Sequence, residues 1–439
     1  MSVAIGGIVA FLFRGVNLVV AFATLTVTSN QLGAEGRGTV ALGLTVIGIV
    51  SATTGGLTAA TAYQVSNQKR SQVTVLANGG VIALALGAVS VIAGFVGAQV
   101  LSGEASALSI AVGASSAAVI VNSVVAGVFL GNGSLIRYNL ALVLPPLLSL
   151  VAISVGFFVF DHRSPEDTLA EFAIGQWLAT PLLVAAGAVL GGFRAPAIDR
   201  ILVRAIVRFS LLAGVSSGVS FLNYRADQFV VGHFDGAGAV GVYSGAVLIA
   251  EAVWQFSGSL SLATYARIGG LEQAEAALLT ARVMRHTIVI LFVVCGTLFV
   301  LADLIVGLVF EPEFAPMATA LRILLPGTLL YGLASAFSGY YTYQLGRPWA
   351  AAIVAGVGLA IDIALAFVLV PIMGVNGAAL ASSIAYSLAI IGGIAVFLRH
   401  TGLSPTAVFR FGREDVHDYV LLIGRMRELI GADGGRPVP

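Results

Sequence analysis

The sequence predicts an all-α polytopic membrane protein whose twelve transmembrane helices form two six-helix bundles, a 6+6 parallel repeat. Composition, twelve apolar runs and a one-sided distribution of basic residues predict this fold. Of the 439 residues, 58% are hydrophobic and only 10% are charged, with a mean hydropathy of +0.99, whereas soluble proteins carry about 25% charged residues. So few charges cannot cover a water-facing surface, and a net charge of +1 gives no electrostatic reason to expect a nucleic-acid partner. A soluble enzyme and a nucleic-acid binder are therefore excluded.

Twelve apolar runs are long enough to cross a membrane, whose hydrocarbon core of about 30 Å requires about 20 residues per helix. They lie near residues 3–25, 39–63, 75–100, 107–130, 138–160, 170–192, 206–232, 238–264, 286–310, 318–343, 349–371 and 375–398. The breaks between them carry turn-forming residues, as in Gly33-Ala34-Glu35-Gly36 and Gly131-Asn132-Gly133-Ser134. The runs are continuous rather than alternating, which argues against a transmembrane β-barrel.

The basic residues predict the orientation of these spans. With the N-terminus in the cytoplasm, seventeen of the 22 lysines and arginines fall in inner loops and the tail, and only Arg37 and Arg163 fall in outer loops. This asymmetry follows the rule that cytoplasmic loops are enriched in positive charge. We therefore expect a multi-pass protein of the cytoplasmic membrane with both termini in the cytoplasm.

The predicted spans divide the chain into two halves. Residues 1–192 form an N-terminal six-helix bundle, 193–207 an inner linker loop, 208–398 a C-terminal six-helix bundle, and 399–439 a cytoplasmic tail. Segments 271–285 and 415–430 have helical amphipathic periodicity and are predicted to lie on the inner membrane surface. A repeat with a shift of 202 residues relates Gly36, Gly43 and Tyr63 to Gly238, Gly245 and Tyr265. Parallel repeats of this kind place a transport site between the halves.

Charged residues inside the predicted spans are candidates for function, because they are costly in hydrocarbon. Arg14 has no acid at a similar depth in the first half, so it needs water or an anion, and the guanidinium fork suits phosphate. Arg225 is either its counterpart in an anion site or a structural partner of Asp227 or Glu251. The acids are candidates for a counter-ion or coupling role, holding a proton or cation when the anion is absent. The candidate residues are Arg14 and Arg225 for phosphate, Asp227, Glu251 and Asp362 as acids, and Asn17, Asn223, Gln228 and Gln255 as polar cavity residues.

Signatures of an enzyme do not occur in the sequence. The only lysine is Lys69, and no glycine-rich phosphate loop contains it, which argues against direct use of ATP. The five histidines do not have metal-ligand spacing, and the single cysteine, Cys295, excludes an internal disulfide. We therefore expect neither a catalytic activity nor a metal or cofactor.

Several motifs occur in a specific order along nearly the whole chain. They are Gln31-Leu32-Gly33 with Gly38, Asn223-Tyr224-Arg225-Ala226-Asp227-Gln228, Gly241-Val242-Tyr243-Ser244 with Glu251, Glu313-Phe314, Leu321-Arg322-Ile323-Leu324-Leu325-Pro326-Gly327, Leu345-Gly346-Arg347-Pro348, Pro371-Ile372-Met373-Gly374 and Gly377-Ala378-Ala379-Leu380-Ala381-Ser382. Together they resemble the polysaccharide-biosynthesis (Wzx-type) flippases of the multidrug/oligosaccharidyl-lipid/polysaccharide (MOP) exporter superfamily.

The resemblance implies two six-helix bundles around a central cavity, and translocation of a polyprenyl-(pyro)phosphate-linked oligosaccharide by alternating access. It implies that Arg14 matches the first-helix arginine of related flippases. A glycan polymerase or glycosyltransferases of the same pathway are the protein partners that it suggests. The alternatives are a cation-coupled multidrug exporter of the same superfamily and a membrane glycosyltransferase or polymerase. Central arginines count against the exporter, and the short outer loops count against the glycosyltransferase.

Overall fold

The protein is almost entirely α-helical. The structure, a computed structural model, describes residues 3–102, 107–191, 198–347, 349–410, 412 and 415, and no strand occurs among them. The helices are α1 (Val3–Ser66), α2 (Gln72–Ser102), α3 (Ala107–Gly131), α4 (Leu135–Val155), α5 (Pro165–Gly191), α6 (Arg200–Ala252), α7 (Trp254–Gly270), α8 (Gln273–Val309), α9 (Pro316–Tyr331), α10 (Ala334–Gly339), α11 (Trp349–Met373), α12 (Val375–Thr401) and α13 (Pro405–Phe409). A 3₁₀ turn (Pro312–Phe314) precedes α9, and π-helical turns extend α4 (Gly156–Phe160) and α10 (Tyr340–Gln344).

Ten helical stretches of the described chain are long and apolar enough to cross a membrane. Two of them, with 58 and 62 residues, are far longer than the roughly 20 residues of one crossing. Each is interrupted by one glycine in a non-helical conformation, Gly33 (φ 67°) in α1 and Gly236 (φ 79°) in α6. Only glycine adopts such a φ at little cost. We call the parts α1a (residues 3–32), α1b (34–66), α6a (200–235) and α6b (237–252), and their shared end of the molecule the glycine end.

The turn at Gly33 is much sharper than the sequence predicts. Residues 26–38 were predicted to connect the first two spans outside the membrane. In the structure, every one of them except Gly33 is part of a helix. Thr24 of α1a and Thr45 of α1b line the same cavity, which shows that α1b folds back along α1a. Arg37 was placed in an outer loop, and this placement is wrong, because Arg37 belongs to the first turns of α1b.

Part of the segment that was predicted to link the halves is helical. The sequence places it at residues 193–207, whereas α6 begins at Arg200. The Asp199 carboxylate caps this helix, accepting the backbone N–H groups of Ile201 at 2.8 Å and Leu202 at 3.3 Å.

The helices after the two glycines contact each other reciprocally at the glycine end. A Cβ added to Gly38 would lie 1.7 Å from the carbonyl oxygen of Ala237, and one added to Gly241 would lie 2.1 Å from that of Ala34. Glycine is required at both positions, because the backbones are too close for any side chain. The equivalent residues are separated by 203 positions, one more than the shift of 202 that the sequence predicts. A few matches in a glycine-rich chain do not distinguish neighbouring registers.

Side-chain packing is most extensive in the second half. One buried cluster joins residues of α1, α6, α8, α9, α11 and α12, and it includes Tyr243, Phe314 and Leu321. Two smaller clusters lie within α1–α5, and a third also includes Leu202 and Ile206 of α6. Large apolar side chains such as Val300 and Leu308, 74% and 76% exposed, lie on the outside of α8, as expected for a surface in contact with lipid.

The segment at 271–285 does not form a separate surface helix. Its residues begin α8, and Ala277, Ala281 and Met284 pack in the core of the second half. Of the tail helix predicted at 415–430, only Asp415 lies within the described residues. Asp415 binds Arg285 of α8, with 3.0 Å between Oδ1 and Nη2. Burial alone would raise the pKa of the Asp415 carboxyl, but hydrogen bonds from Arg285 and the Gly412 N–H outweigh it and lower this pKa below its usual range.

Candidate functional site

A cleft lies between the two halves and consists of two adjoining cavities. The first, about 450 Å³, lies among α1, α4, α5 and α6, and the second, about 490 Å³, among α1a, α6b and the start of α7. Asn17, Ala21 and Leu248 border both cavities. Volumes of this size are typical of ligand sites.

Arg14 lies at the second cavity as an unpaired cation. Its side chain is exposed in the cleft, and a Cβ at Gly258 would meet only the Nη1 atom of Arg14, at 3.6 Å. No hydrogen bond or ion pair joins Arg14 to the part of the chain that the structure describes. The guanidinium is therefore available to an anion entering between α1a and the helix formed by α6b and α7.

Arg225 is paired, unlike Arg14. Its Nη1 and Nη2 donate to the two carboxylate oxygens of Glu251 at 2.5 and 2.7 Å, which joins α6a to α6b. The side chains are 20% and 17% exposed, and Arg225 borders the first cavity while Glu251 borders the second. Glu251, rather than Asp227, is the partner of Arg225 in this conformation.

Three of the four predicted polar cavity residues border the cleft. Asn17 borders both cavities, Gln255 the second, and Gln228 the first. The Oε1 of Gln228 accepts a hydrogen bond from Thr45 at 2.8 Å, which links the two halves. Asn223 was predicted to face the cavity, but it lies elsewhere, because its fully buried side chain donates to the Tyr331 hydroxyl at 3.2 Å within the second half.

Asp227 and Asp362 form a buried acidic pair away from the cleft. Both are 1% exposed, and the Ser382 hydroxyl lies between them, 2.9 Å from Asp227 and 3.0 Å from Asp362. Tyr243 also donates to Asp227. Ser382 has only one hydrogen for two carboxyl groups, and one oxygen of Asp362 has no hydrogen-bond partner among the described residues. The pair is thus short of donors and can accept a proton or a cation.

Arg37 is a cleft residue that the sequence analysis missed. It borders the first cavity and is only 7% exposed. Its position beside Gly33-Ala34-Glu35-Gly36 is typical of a loop, and only the helical continuation beyond Gly33 brings it into the cleft. The signal in the sequence that could have identified Arg37 was the helical pattern that resumes directly after Gly33.

The two seams between the halves differ. On one side, α1b packs directly on α6a: a Cβ added to Gly56 would lie 2.2 Å from the Ser210 carbonyl oxygen, and one added to Gly214 would lie 2.0 Å from that of Thr53. On the other side, the second cavity separates α1a from α6b and α7, and a Cβ at Gly15 would meet no atom within 4 Å. The first seam is closed, and the second is open beside Arg14.

No cluster of three or more histidine, cysteine, aspartate or glutamate side chains suited to a metal ion occurs among the residues that the structure describes. The cleft is bordered by guanidinium, carboxylate, amide and hydroxyl groups together with apolar side chains such as Leu44 and Leu248. Its guanidinium groups suit an anionic ligand.

Comparison of the sequence with known protein families and with curated proteins gives no match. The fold, in contrast, is similar to that of solved structures described as MOP superfamily transporters. The lipid II flippase MurJ in an inward closed conformation is similar with a TM-score of 0.73 and 15% identity, covering 99% of this chain and 94% of that chain. A multidrug resistance MATE family transporter is similar in its inward-facing conformation (TM-score 0.71, 16% identity, 87% and 94% covered) and in an outward-facing one (TM-score 0.65, 18% identity, 90% and 94% covered).

Proposed function

We propose that this protein translocates a polyprenyl-(pyro)phosphate-linked oligosaccharide across the cytoplasmic membrane by alternating access. The observation that carries the proposal is the unpaired Arg14 at the open seam. A lipid-linked glycan needs a polar cleft for its sugars, a cation for its phosphate and a lateral opening for its lipid chain. The cleft, Arg14 and the open seam correspond to these three needs.

In this proposal α1 and α6 each cross the membrane twice, which gives twelve spans in two sets of six around the central cleft. The distribution of basic residues supports cytoplasmic termini, and with that orientation the glycine end faces outward. The contacts of Gly38 and Gly241 close that end, and the cleft is then accessible from the cytoplasmic side. The higher TM-score with the inward-facing MATE structure than with the outward-facing one supports this conformation.

Substrate loading follows from the positions of the charges. The phosphate binds Arg14, the polyprenyl chain stays in the bilayer at the seam, and the glycan extends into the cleft along Asn17 and Gln255. Guanidinium is suited to this role because it offers two parallel N–H donors to a phosphate. The glycosyltransferases that build the glycan and the polymerase that extends it are the partners this role implies.

The acids couple the conformational change to an ion. Arg225 becomes available to the phosphate when Glu251 releases it, which requires either competition by the substrate or protonation of Glu251. Asp227 and Asp362 bind a proton or monovalent cation within the second half, next to α6a and α12. An ion bound there alters the packing of the helix that carries Arg225.

The first prediction concerns Arg14. We expect Arg14→Ala to abolish glycan export while the protein still inserts, because one charge-assisted hydrogen bond contributes about 1.5–3 kcal/mol, about ten- to a hundredfold in phosphate affinity. Arg14→Lys keeps the charge but loses the fork, so export is partly restored. Surface glycan in a strain lacking the native gene, with membrane protein quantified in parallel, measures this.

The matched control is Arg322→Ala. Arg322 pairs with Asp303 outside the cleft, so its loss leaves export intact. Normal export by Arg14→Ala at wild-type protein level would show that the phosphate binds elsewhere.

A multidrug exporter of the same superfamily is the second candidate, supported by the structural similarity to MATE transporters. Such a protein handles cations and needs no arginine at mid-cleft. Resistance to cationic dyes that survives Arg14→Ala, together with unchanged surface glycan in the deletion strain, would favour this function.

A further inference from the structure

Arg37 is a buried cation that has no partner. Its side chain is 7% exposed, and its Nε and Nη1 atoms are completely buried without a hydrogen-bond acceptor in the described part of the chain. No carboxylate within the described residues forms an ion pair with it. A buried guanidinium without compensation is costly, so its retention at the wall of a cavity indicates an anionic ligand.

Arg37 and Arg14 lie at opposite ends of the cleft. Arg37 lies four residues after Gly33, about 6 Å along α1b at 1.5 Å per residue, whereas Arg14 lies about 28 Å from Gly33 along α1a. Their Cα atoms are thus separated by about 20 Å along the cleft, and the two side chains border different cavities. The two arginines therefore bind different groups of one extended ligand.

The surroundings of Arg37 show which part of the ligand reaches it. The first cavity is bordered by Pro146 and Phe172 of the first half and by Ser244 of the second, and the contacts of Gly241 close the glycine end. The open seam lies at the other cavity, beside Arg14. A phosphate tethered to lipid at that seam does not extend to Arg37, whereas the free end of a glycan does.

We propose that Arg37 binds a carboxylate on the distal part of the glycan, so that the transported oligosaccharide contains an acidic sugar such as a uronic acid. This inference rests on the proposed function and adds the substrate class to it. Guanidinium and carboxylate form a bidentate pair. Thr45, Gln228 and Ser244, which border the same cavity, supply hydroxyl and amide groups for the neighbouring sugar hydroxyls.

The experiment measures binding of free oligosaccharides to the full-length protein in lipid nanodiscs, by calorimetry. The probes are a tetrasaccharide ending in glucuronic acid, the same tetrasaccharide ending in glucose, and inorganic phosphate. We expect the wild-type protein to bind the acidic probe about ten- to a hundredfold more tightly than the neutral one. In Arg37→Gln this preference is lost while affinity for the neutral probe is unchanged, and Arg37→Lys restores part of it.

The matched control is Arg322→Gln, which keeps the preference, because Arg322 pairs with Asp303 outside the cleft. Equal binding of both sugars by the wild-type protein, failure to bind the acidic sugar, or an undiminished preference in Arg37→Gln would each overturn the proposal. If inorganic phosphate displaced the acidic probe and bound more tightly than the probe does, Arg37 would be assigned to the phosphate instead.

Two further measurements separate the possible failures. The neutral side chain of Arg37→Gln removes a buried charge, so the unliganded variant should melt at or above the wild-type temperature, and a lower melting temperature would show that Arg37 is structural. Failure of the proposed function appears separately, as export that persists in Arg14→Ala. If Arg14→Ala loses export but the wild-type protein shows no preference for the acidic sugar, the proposed function stands and only the acidic sugar is rejected.

Discussion

At the scale of single residues, the cleft contains three arginines in three different electrostatic states. Within the described residues, Arg14 is exposed and unpaired, Arg225 is held by Glu251, and Arg37 is buried without a hydrogen-bond partner for its Nε and Nη1 atoms. Because the same side chain behaves differently in each setting, residue type alone does not define the role. The environment that each helix provides decides whether an arginine is open to a ligand, is held by another side chain, or is buried beside a cavity.

We predict that Glu251→Gln destabilises the protein by about 2 kcal/mol. This is below the roughly 3–5 kcal/mol lost when a fully buried pair is broken, because a fifth of each side chain remains exposed. The melting temperature in detergent measures the effect. Asp303→Asn is the control, since it breaks another bidentate pair whose Asp303 side chain is 74% exposed, and its melting temperature should fall less. An equal fall in both would contradict the assigned burial of the Arg225 pair.

Arg14, Arg225, Glu251 and Asp362 were identifiable from the sequence because each interrupts an apolar run. Arg37 was not, because it follows a segment rich in glycine and acid that is typical of loops. Whether one glycine turns the chain at once, or several residues form a loop, depends on the packing of α1b against α6b, which a single sequence does not display.

At the scale of elements, the reciprocal contact of α1b and α6b controls the glycine end. We predict that Gly241→Val separates the halves there, because even a Cβ would lie 2.1 Å from the Ala34 carbonyl oxygen. Spin labels at Glu35 and Asp235, both exposed, should be further apart in Gly241→Val than the same two labels in the protein that keeps Gly241. Gly296→Val is the control, since a Cβ there meets no atom within 4 Å. An unchanged distance in Gly241→Val would show that this contact does not hold the end closed.

Element positions were predicted better than element ends. The apolar runs gave the centres of the crossing helices, since burial in lipid demands them. The helices continue past the predicted span ends near 25 and 39, and α6 begins at Arg200, within the predicted linker. The contacts of Gly38 and Gly241 relate residues 203 positions apart rather than the predicted 202, and the sequence could not show this, because close backbone contacts leave no side-chain signature.

At the scale of the whole molecule, the charge distribution predicts one orientation. Cysteine probes at Ser164 and at Asp235, which is exposed beside Gly236, should react with an impermeant reagent added outside cells, whereas probes at Ser71 and Ala197 should react only after the membrane is permeabilised. The reason is that the predicted topology puts seventeen basic residues on the same side as Ser71, and such loops are expected to face the cytoplasm. A single position labelled from the opposite side would contradict the twelve-span arrangement.

The two seams between the halves differ, because one is closed by backbone contacts and the other is open to the side. The seam between α1b and α6a is held by close backbone contacts at Gly56 and Gly214, whereas the other seam is open beside Arg14. In the proposed function, a lipid-linked substrate would enter and leave by this one lateral opening. Its hydrocarbon chain would then stay in the surrounding lipid, and the protein would have to enclose only the polar part.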